Sequence, residues 1–325
     1  MRSALYQSFG DPTQLLALGD APMPQPQAGE VRIRTLLAPI HNHDLLTVRG
    51  QYGYKPALPA IGGSEAVGIV DALGEGVEGL AIGQRVATPA GRGTWAEYFT
   101  APARMTVPLP DGIPDETAAQ LMAMPLSALM LLETLALPAG AWIVQNAANG
   151  AVGKALAMLG GARGLQVVNI VRREEGVAEL GALGIAHVVC STQSGWMQQV
   201  REITGPGLAQ AAIDSVGGRA SGALLALLGN NGVLVSFGAL TGEPMQLSPA
   251  DLIFKQAVVK GFWGSKASQA LSAEDRRRLV GELLQRTLAG ELRLPVDAIH
   301  DLADIAQAAA ASLRPGRPGK VLLRP

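Results

Sequence analysis

The stretch WIVQNAANGAVG at residues 142–153 restricts the fold of this chain more than any other. An apolar run of strand character enters a turn of small residues and passes at once into a helical pattern. That is the strand–turn–helix setting of an A-x-G-x-x-G dinucleotide fingerprint. Gly150 lets the backbone approach a pyrophosphate, and Gly153 lets the helix pack closely on the strand. The residues that open the helix, Asn149, Gly150, Ala151, Val152 and Gly153, offer oriented amides to an anion. Ala148 departs from the usual first glycine by one methyl, and a plain tight turn would look the same locally. The segments C-terminal to the turn supply the weight. QVVNIV, AHVVC, AAIDSV and GVLVSFG are apolar strand segments that alternate with helical runs such as EEGVAELGALG and RASGALLALLG. This alternation builds a parallel sheet covered by helices on both faces, a Rossmann-type doubly wound α/β domain.

The second strand speaks to which nucleotide binds. An NAD site usually ends this strand with an acid that accepts hydrogen bonds from the ribose hydroxyls. Here QVVNIV ends in Arg172 and Arg173, whose guanidinium groups suit a 2′-phosphate by charge and fork geometry. NADPH is therefore the expected cofactor. The alternative is a solvated arginine pair bridged to Glu174 and Glu175.

Residues 1 to about 115 have a different texture. They are rich in Pro and Gly, with short β-prone runs such as EVRIRTLLAPI, AVGIVDALG and QRVATPA. Such punctuation suggests a compact barrel or sandwich of short strands. DGIPDETAAQ then opens a helix, with Asp115 as a candidate cap. After GFWG at 261–264 come the long helical run SAEDRRRLVGELLQRTLAGEL, a shorter one, and a last strand, GKVLLRP. The expected division is 1–115 with 265–325 as one domain and 116–264 as the dinucleotide domain. A length of 325 residues suits two domains. The 26 basic residues nearly balance the 27 acidic ones, with no basic face of the kind nucleic acid requires. No stretch reads as a clean membrane span or a secretory signal, and one cysteine, Cys190, precludes an intramolecular disulfide, so a soluble cytoplasmic protein is expected.

One loop raises a chemical question. RGQYGYKPALPAIGGSE at 49–65 carries Tyr52 and Tyr54 among Gly50, Gly53, Pro56, Pro59, Gly62 and Gly63, in a chain that is only 4% aromatic. A phenol there either fills a gap or is placed to give up a proton.

A small-strand domain, a dinucleotide domain and a return to the first resemble the medium-chain dehydrogenase/reductase superfamily, whose first domain is a GroES-like β-barrel. Zinc-dependent members carry cysteine and histidine ligands. The matching places here read His41-Asn-His-Asp44, Gly63-Ser-Glu65 and MPLSAL, so no metal is expected. A His41, His43 and Glu65 site would have an unfamiliar spacing, and the two histidines are better read as hydrogen-bonding groups of the cleft. The sequence most resembles the zinc-free enoyl thioester reductase branch, of mitochondrial trans-2-enoyl reductase type, through GQYG, LPAIGG, GTW, QNAANGAVG, NIVRR, SVGG, LIFK and GFWGS in order. The resemblance implies that Tyr52 is the proton donor, with Tyr54 packing on the loop. It implies that Trp95, Phe262 and Trp263 shape the acyl and nicotinamide pockets, and that Gly238 turns past the nicotinamide amide. A phenol stays protonated at neutral pH and can protonate an α-carbon after hydride reaches the β-carbon. The expected activity is NADPH-dependent reduction of an activated C=C bond, most simply a 2-enoyl thioester. An NADPH:quinone oxidoreductase and a non-catalytic NADPH-binding protein are the alternatives. The resemblance also implies a homodimer joined along QAVVKGF at 256–262.

Overall fold

A computed structural model describes residues 1–205 and 209–325. Its contacts gather into two units, Met1–Ala123 with Leu294–Pro325, and Met124–Arg293.

In the second unit each apolar run of the sequence becomes a strand of one six-stranded parallel sheet. The order is Val188–Cys190, Gln166–Val171, Trp142–Gln145, Ala209–Asp214, Leu228–Ser236 and Val258–Gly261. The order reverses between Trp142–Gln145 and Ala209–Asp214, which is where a doubly wound sheet opens a crevice at its carboxyl ends. Five of the six residues of Gln166–Val171 are buried, as a strand covered on both faces must be. Val144, Val168, Ile170, Leu224 and Leu234 form the core between sheet and helices.

The helix Ala273–Leu288 begins where Ser272 accepts a hydrogen bond from the Asp275 amide at 3.0 Å. Its Leu279, Val280 and Leu283 are buried, and its Glu282 accepts two hydrogen bonds from Arg163 of the helix that follows the fingerprint. These contacts carry the second unit on to Arg293, past the boundary at residue 264 that the sequence pattern suggests. Arg278 pairs with Glu133 and Asp275, and the Arg276 guanidinium donates to the Ser268 carbonyl.

The spine of the first unit is the strand Glu30–Pro39, in which Val31, Ile33, Thr35 and Leu37 alternate inward. It pairs with Ala66–Leu73, Tyr98–Pro102 and the terminal strand Lys320–Arg324, all antiparallel. Val296–Asp301 lies beyond Lys320–Arg324, and Arg85–Thr88 lies beyond Ala66–Leu73. A smaller sheet joins Ala17–Asp20, Arg2–Tyr6 and Ala60–Ile61. The chain leaves this unit through a four-residue helix, Asp115–Ala118, capped by Pro114 rather than Asp115. The Asp115 carboxylate instead accepts from Arg85 Nε at 2.8 Å, which takes it away from the helix amides.

Candidate active site

Tyr52 is positioned by the end of a short helix, Asn42–Val48. The amides of Gln51 and Tyr52 both donate to the Leu46 carbonyl, at 2.9 and 3.2 Å, satisfying a helix-end oxygen. Gly50 makes the turn at φ +69°, where a Cβ would press on Phe9 at 3.0 Å. The phenol ring is half-buried and lies 5.5 Å, centroid to centroid, from the ring of His43. Tyr54 is 59% exposed, so it does not pack on the loop as expected from the sequence.

Behind Tyr52 lies a polar cluster that sequence spacing does not reveal. His41 and His43 stack with centroids 5.1 Å apart, one residue separating them on the same turn. His41 and Glu65 have no exposed side-chain surface and meet at 2.6 Å, Nε2 to Oε2. The other Glu65 oxygen accepts from the amides of Met122 and Ala123 at 2.6 and 2.9 Å. His43 Nε2 contacts Ser64 Oγ at 2.8 Å, and the Ser64 hydroxyl donates to Asp44 Oδ1 at 2.7 Å. The second Asp44 oxygen accepts from the His41 amide at 3.0 Å. Lys320 donates to the Ile40 carbonyl at the edge of the cluster.

Burial governs the charges here. It pushes Glu65 up to about 8, against the pull of the two amides and Lys320. Burial drives His41 well below the ordinary histidine value, helped by the positive charge of Lys320. It also lowers His43, where Asp44 acts in the opposite direction. Lys320 is lowered to about 8, again first by burial. His41 and Glu65 together therefore keep one proton and stay neutral as a pair.

Trp95 has a different place from the one expected. It is fully buried, its indole N–H donates to the Pro39 carbonyl at 3.1 Å, and its ring lies under Gly62 and Gly63. A Cβ on Gly62 would come within 2.2 Å of that ring, so the loop must be glycine to lie over it. With no open face, Trp95 supports the loop and cannot touch a substrate.

In the second unit the fingerprint turn is built as its sequence requires. A Cβ on Gly153 would lie 2.6 Å from the Ala148 carbonyl oxygen, a backbone atom that cannot give way. The helix Ala151–Ala162 starts at Gly150, and the amides of its first turn face out of the helix end, an arrangement that fits a pyrophosphate. Gln145 locks the turn by donating to the Gly153 carbonyl and to Asn169, at 2.8 and 2.7 Å. Arg172 is exposed and Arg173 half-buried as the N-cap of the next helix. Among the described residues neither forms an ion pair, and Glu174 accepts from Gln193 instead of from them. Lys154 and Glu179 join the two helices concerned.

A hub at Asp214 had no place among the residues expected from the sequence. Its Oδ1 accepts from Asn146 Nδ2 at 2.6 Å and from the amides of Val216 and Gly217, while Oδ2 accepts from Ser221. Its carbonyl accepts from the amides of Phe237 and Gly238. One buried residue, through its carboxylate and its backbone carbonyl, thus ties together three loops at the carboxyl ends of adjacent strands. Gly238 lies close over Ser215, a Cβ there falling 3.0 Å from its carbonyl oxygen. Phe262 stacks on Phe237 at 6.0 Å, and Trp263 is 47% exposed.

A doubly wound sheet with this fingerprint, joined to a barrel of short strands, defines a class, and comparison with known proteins agrees. The family described as alcohol dehydrogenase GroES-like domain matches residues 27–111, and that described as zinc-binding dehydrogenase matches residues 151–280. The chain belongs to the medium-chain dehydrogenase/reductase superfamily. It is 31% identical to the human protein named enoyl-[acyl-carrier-protein] reductase, mitochondrial, over 99% of this chain and 88% of that one. The relative of the same name from Caenorhabditis elegans is 32% identical over 96% of this chain and 92% of its own length. Among solved structures, a Bacillus thuringiensis protein assigned as an NADPH:quinone reductase superposes with a TM-score of 0.92 at 31% identity, covering 100% of this chain and 98% of that one. A mycobacterial protein solved with NADPH gives 0.88 at 28% identity, over the full length of both chains.

The zinc of the family description does not fit the donors present. Among the described residues no group of three or more His, Cys, Asp or Glu is placed to hold a metal ion. The Nε2 of His41 is committed to Glu65, that of His43 to Ser64, and Cys190 lies in the other unit.

Proposed function

We propose that this protein is an NADPH-dependent reductase of activated C=C bonds, acting on 2-enoyl thioesters. The observation that carries the reading is the placement of Tyr52. Its side chain is half-buried, its backbone amide is held by the Leu46 carbonyl, and its ring is set beside an ordered polar cluster. That placement suits a proton donor better than a packing residue. The relatives named as enoyl reductases span nearly the whole chain and support the substrate class.

Bound NADPH would supply hydride to the β-carbon. The chain's own part is to bind, orient and protonate. The amides of Asn149 and of Ala151 to Gly153 would hold the pyrophosphate, the Gly150 amide being bonded to the Ala147 carbonyl at 2.9 Å, and Arg172 with Arg173 would hold the 2′-phosphate. Gly238, Phe262 and Trp263 border the nicotinamide. Tyr52 gives its proton to the α-carbon, with Trp95 supporting the loop beneath.

A second reading, an NADPH:quinone oxidoreductase, is supported by the likeness to the Bacillus thuringiensis protein. NADPH oxidation with crotonyl-CoA, a longer enoyl-CoA and a quinone, measured side by side, separates the two. Thioester turnover well above quinone turnover supports the first reading, and the reverse supports the second. Absence of turnover with all of them points to a protein that binds NADPH without catalysis.

The same reading makes the protein a homodimer. Val258–Gly261 is an edge strand; Val258 at its start, and Ile253 and Phe254 of the preceding helix, are 52%, 61% and 82% exposed. Light scattering should give twice the 33.6 kDa chain mass at micromolar concentration, and a monomer mass would reject the dimer. A cytoplasmic location is part of this reading, since one buried thiol suits a reducing compartment. Among the described residues no helix is long and apolar enough to cross a membrane.

A further inference from the structure

We propose that His43, held by Ser64 and Asp44, returns a proton to Tyr52 after each turnover, acting through the phenol and not on the substrate. The inference rests on the enoyl reduction proposed above, in which the phenol loses its proton every cycle.

Three observations carry it. First, His43 is a titratable ring in contact with Tyr52, at 5.5 Å between centroids and 33° between planes. Second, the hydrogen bonds fix its tautomer. The Ser64 hydroxyl proton goes to Asp44 Oδ1, so a lone pair of Ser64 Oγ faces His43 Nε2 at 2.8 Å. The ring must donate there, which places the proton on Nε2 and leaves Nδ1 as the nitrogen that takes up and releases protons. Third, the two stacked histidines differ in access. The His43 side chain is 24% exposed and that of His41 not at all, so His43 is the one in touch with solvent.

The charged and titratable groups around His43 are Asp44, Lys320, His41 and Tyr52. Asp44 Oδ1, 3.4 Å from Nε2, stabilises the imidazolium while it exists, and Lys320 hastens its release of the proton.

The steps balance. Hydride adds to the β-carbon and the C=C electron pair becomes an enolate. The O–H bond of Tyr52 breaks and a Cα–H bond forms, leaving a phenolate. His43, neutral at rest, takes a proton from solvent at Nδ1 and passes it to the phenolate, so the phenol is restored and the ring returns to its neutral form. One proton is consumed per turnover and no further oxidant or reductant is required.

The test is His43→Gln in the full-length protein, with NADPH and crotonyl-CoA, read in single and multiple turnover. The first turnover draws only on the phenol's own proton, so it should run at the wild-type rate. Steady-state turnover should fall by about tenfold to a hundredfold. Imidazole added to the solution should restore it, and the solvent deuterium effect should rise in steady state only. Ser64→Ala, which removes one hydroxyl and frees the tautomer, should show the same split more weakly, and serves alone if His43→Gln does not fold. Equal losses in both phases mean that His43 only supports the loop, and an unchanged steady state means that water reprotonates Tyr52 directly. Either overturns the proposal. Wild-type protein that reduces no thioester overturns the enoyl reading itself, and the relay falls with it.

Discussion

Replacing Glu65 by Gln should remove a pH dependence of stability that the buried pair imposes. The ordinary values are 4.5 for the carboxyl and 6.5 for the imidazole, whereas in the folded chain Glu65 is raised to about 8 and His41 is lowered. The folded pair therefore carries one proton up to about pH 8. The unfolded chain carries two below 4.5, one between 4.5 and 6.5, and none above. Between 6.5 and 8 the folded state holds the extra proton, so stability falls as pH rises, by about 1.4 kcal/mol per unit. Over the window this is about 2 kcal/mol, or a few degrees in melting temperature. Just below 6.5 the rise of Glu65 and the fall of His41 cancel, and the curve should flatten. Lys320, lowered to about 8, adds a slope of opposite sign only above that pH. Gln mimics the neutral acid, its oxygen accepting from the Met122 and Ala123 amides and its nitrogen donating to His41. Thermal melts of both proteins at pH 6.5 and 8, at equal ionic strength, decide the matter. The wild type should lose stability across the window and the variant should not. An equal slope in both, or a flat wild type, refutes the reasoning.

Two further outcomes concern the cofactor and the metal. Changing both Arg172 and Arg173 to Ala should weaken NADPH binding by about 1.5–3 kcal/mol, or one to two decades, and leave NADH nearly unchanged; equal losses in a binding titration would make the arginines supports of the fold. Purified protein should hold no stoichiometric zinc and keep its activity after chelation, and elemental analysis finding one tightly held zinc per chain would overturn the donor argument.

The parallel sheet was legible because its signal is local. Each strand is a short apolar run next to a helical one, and the fingerprint needs only the spacing from Ala148 to Gly153. The place where the chain returns to the first unit was not, because the apolar face of Leu279, Val280 and Leu283 does not say which unit will cover it. Trp95 reads as a cleft residue from a tripeptide motif; what buries it is the missing side chains of Gly62 and Gly63, more than thirty positions earlier. The pairing of His41 with Glu65, 24 residues apart, and of Asn146 with Asp214, 68 apart, comes from barrel and sheet closure and from no spacing rule. Asp214 did leave one signal, a carboxylate at the end of the otherwise apolar run AAIDSV. A lone acid there is tolerated only when surrounding donors satisfy it.

The central claim is that Tyr52 donates a proton to the substrate, and Tyr52→Phe tests it most directly because only the hydroxyl is removed. The variant should fold and bind NADPH as the wild type does, while turnover of an enoyl thioester falls by roughly 10²–10⁴. Tyr54→Phe, at a ring 59% exposed, should change little and controls for the loop. Quinone reduction, whose oxygens can take protons from water, should depend less on Tyr52. Wild-type rates of thioester reduction by Tyr52→Phe would contradict the account.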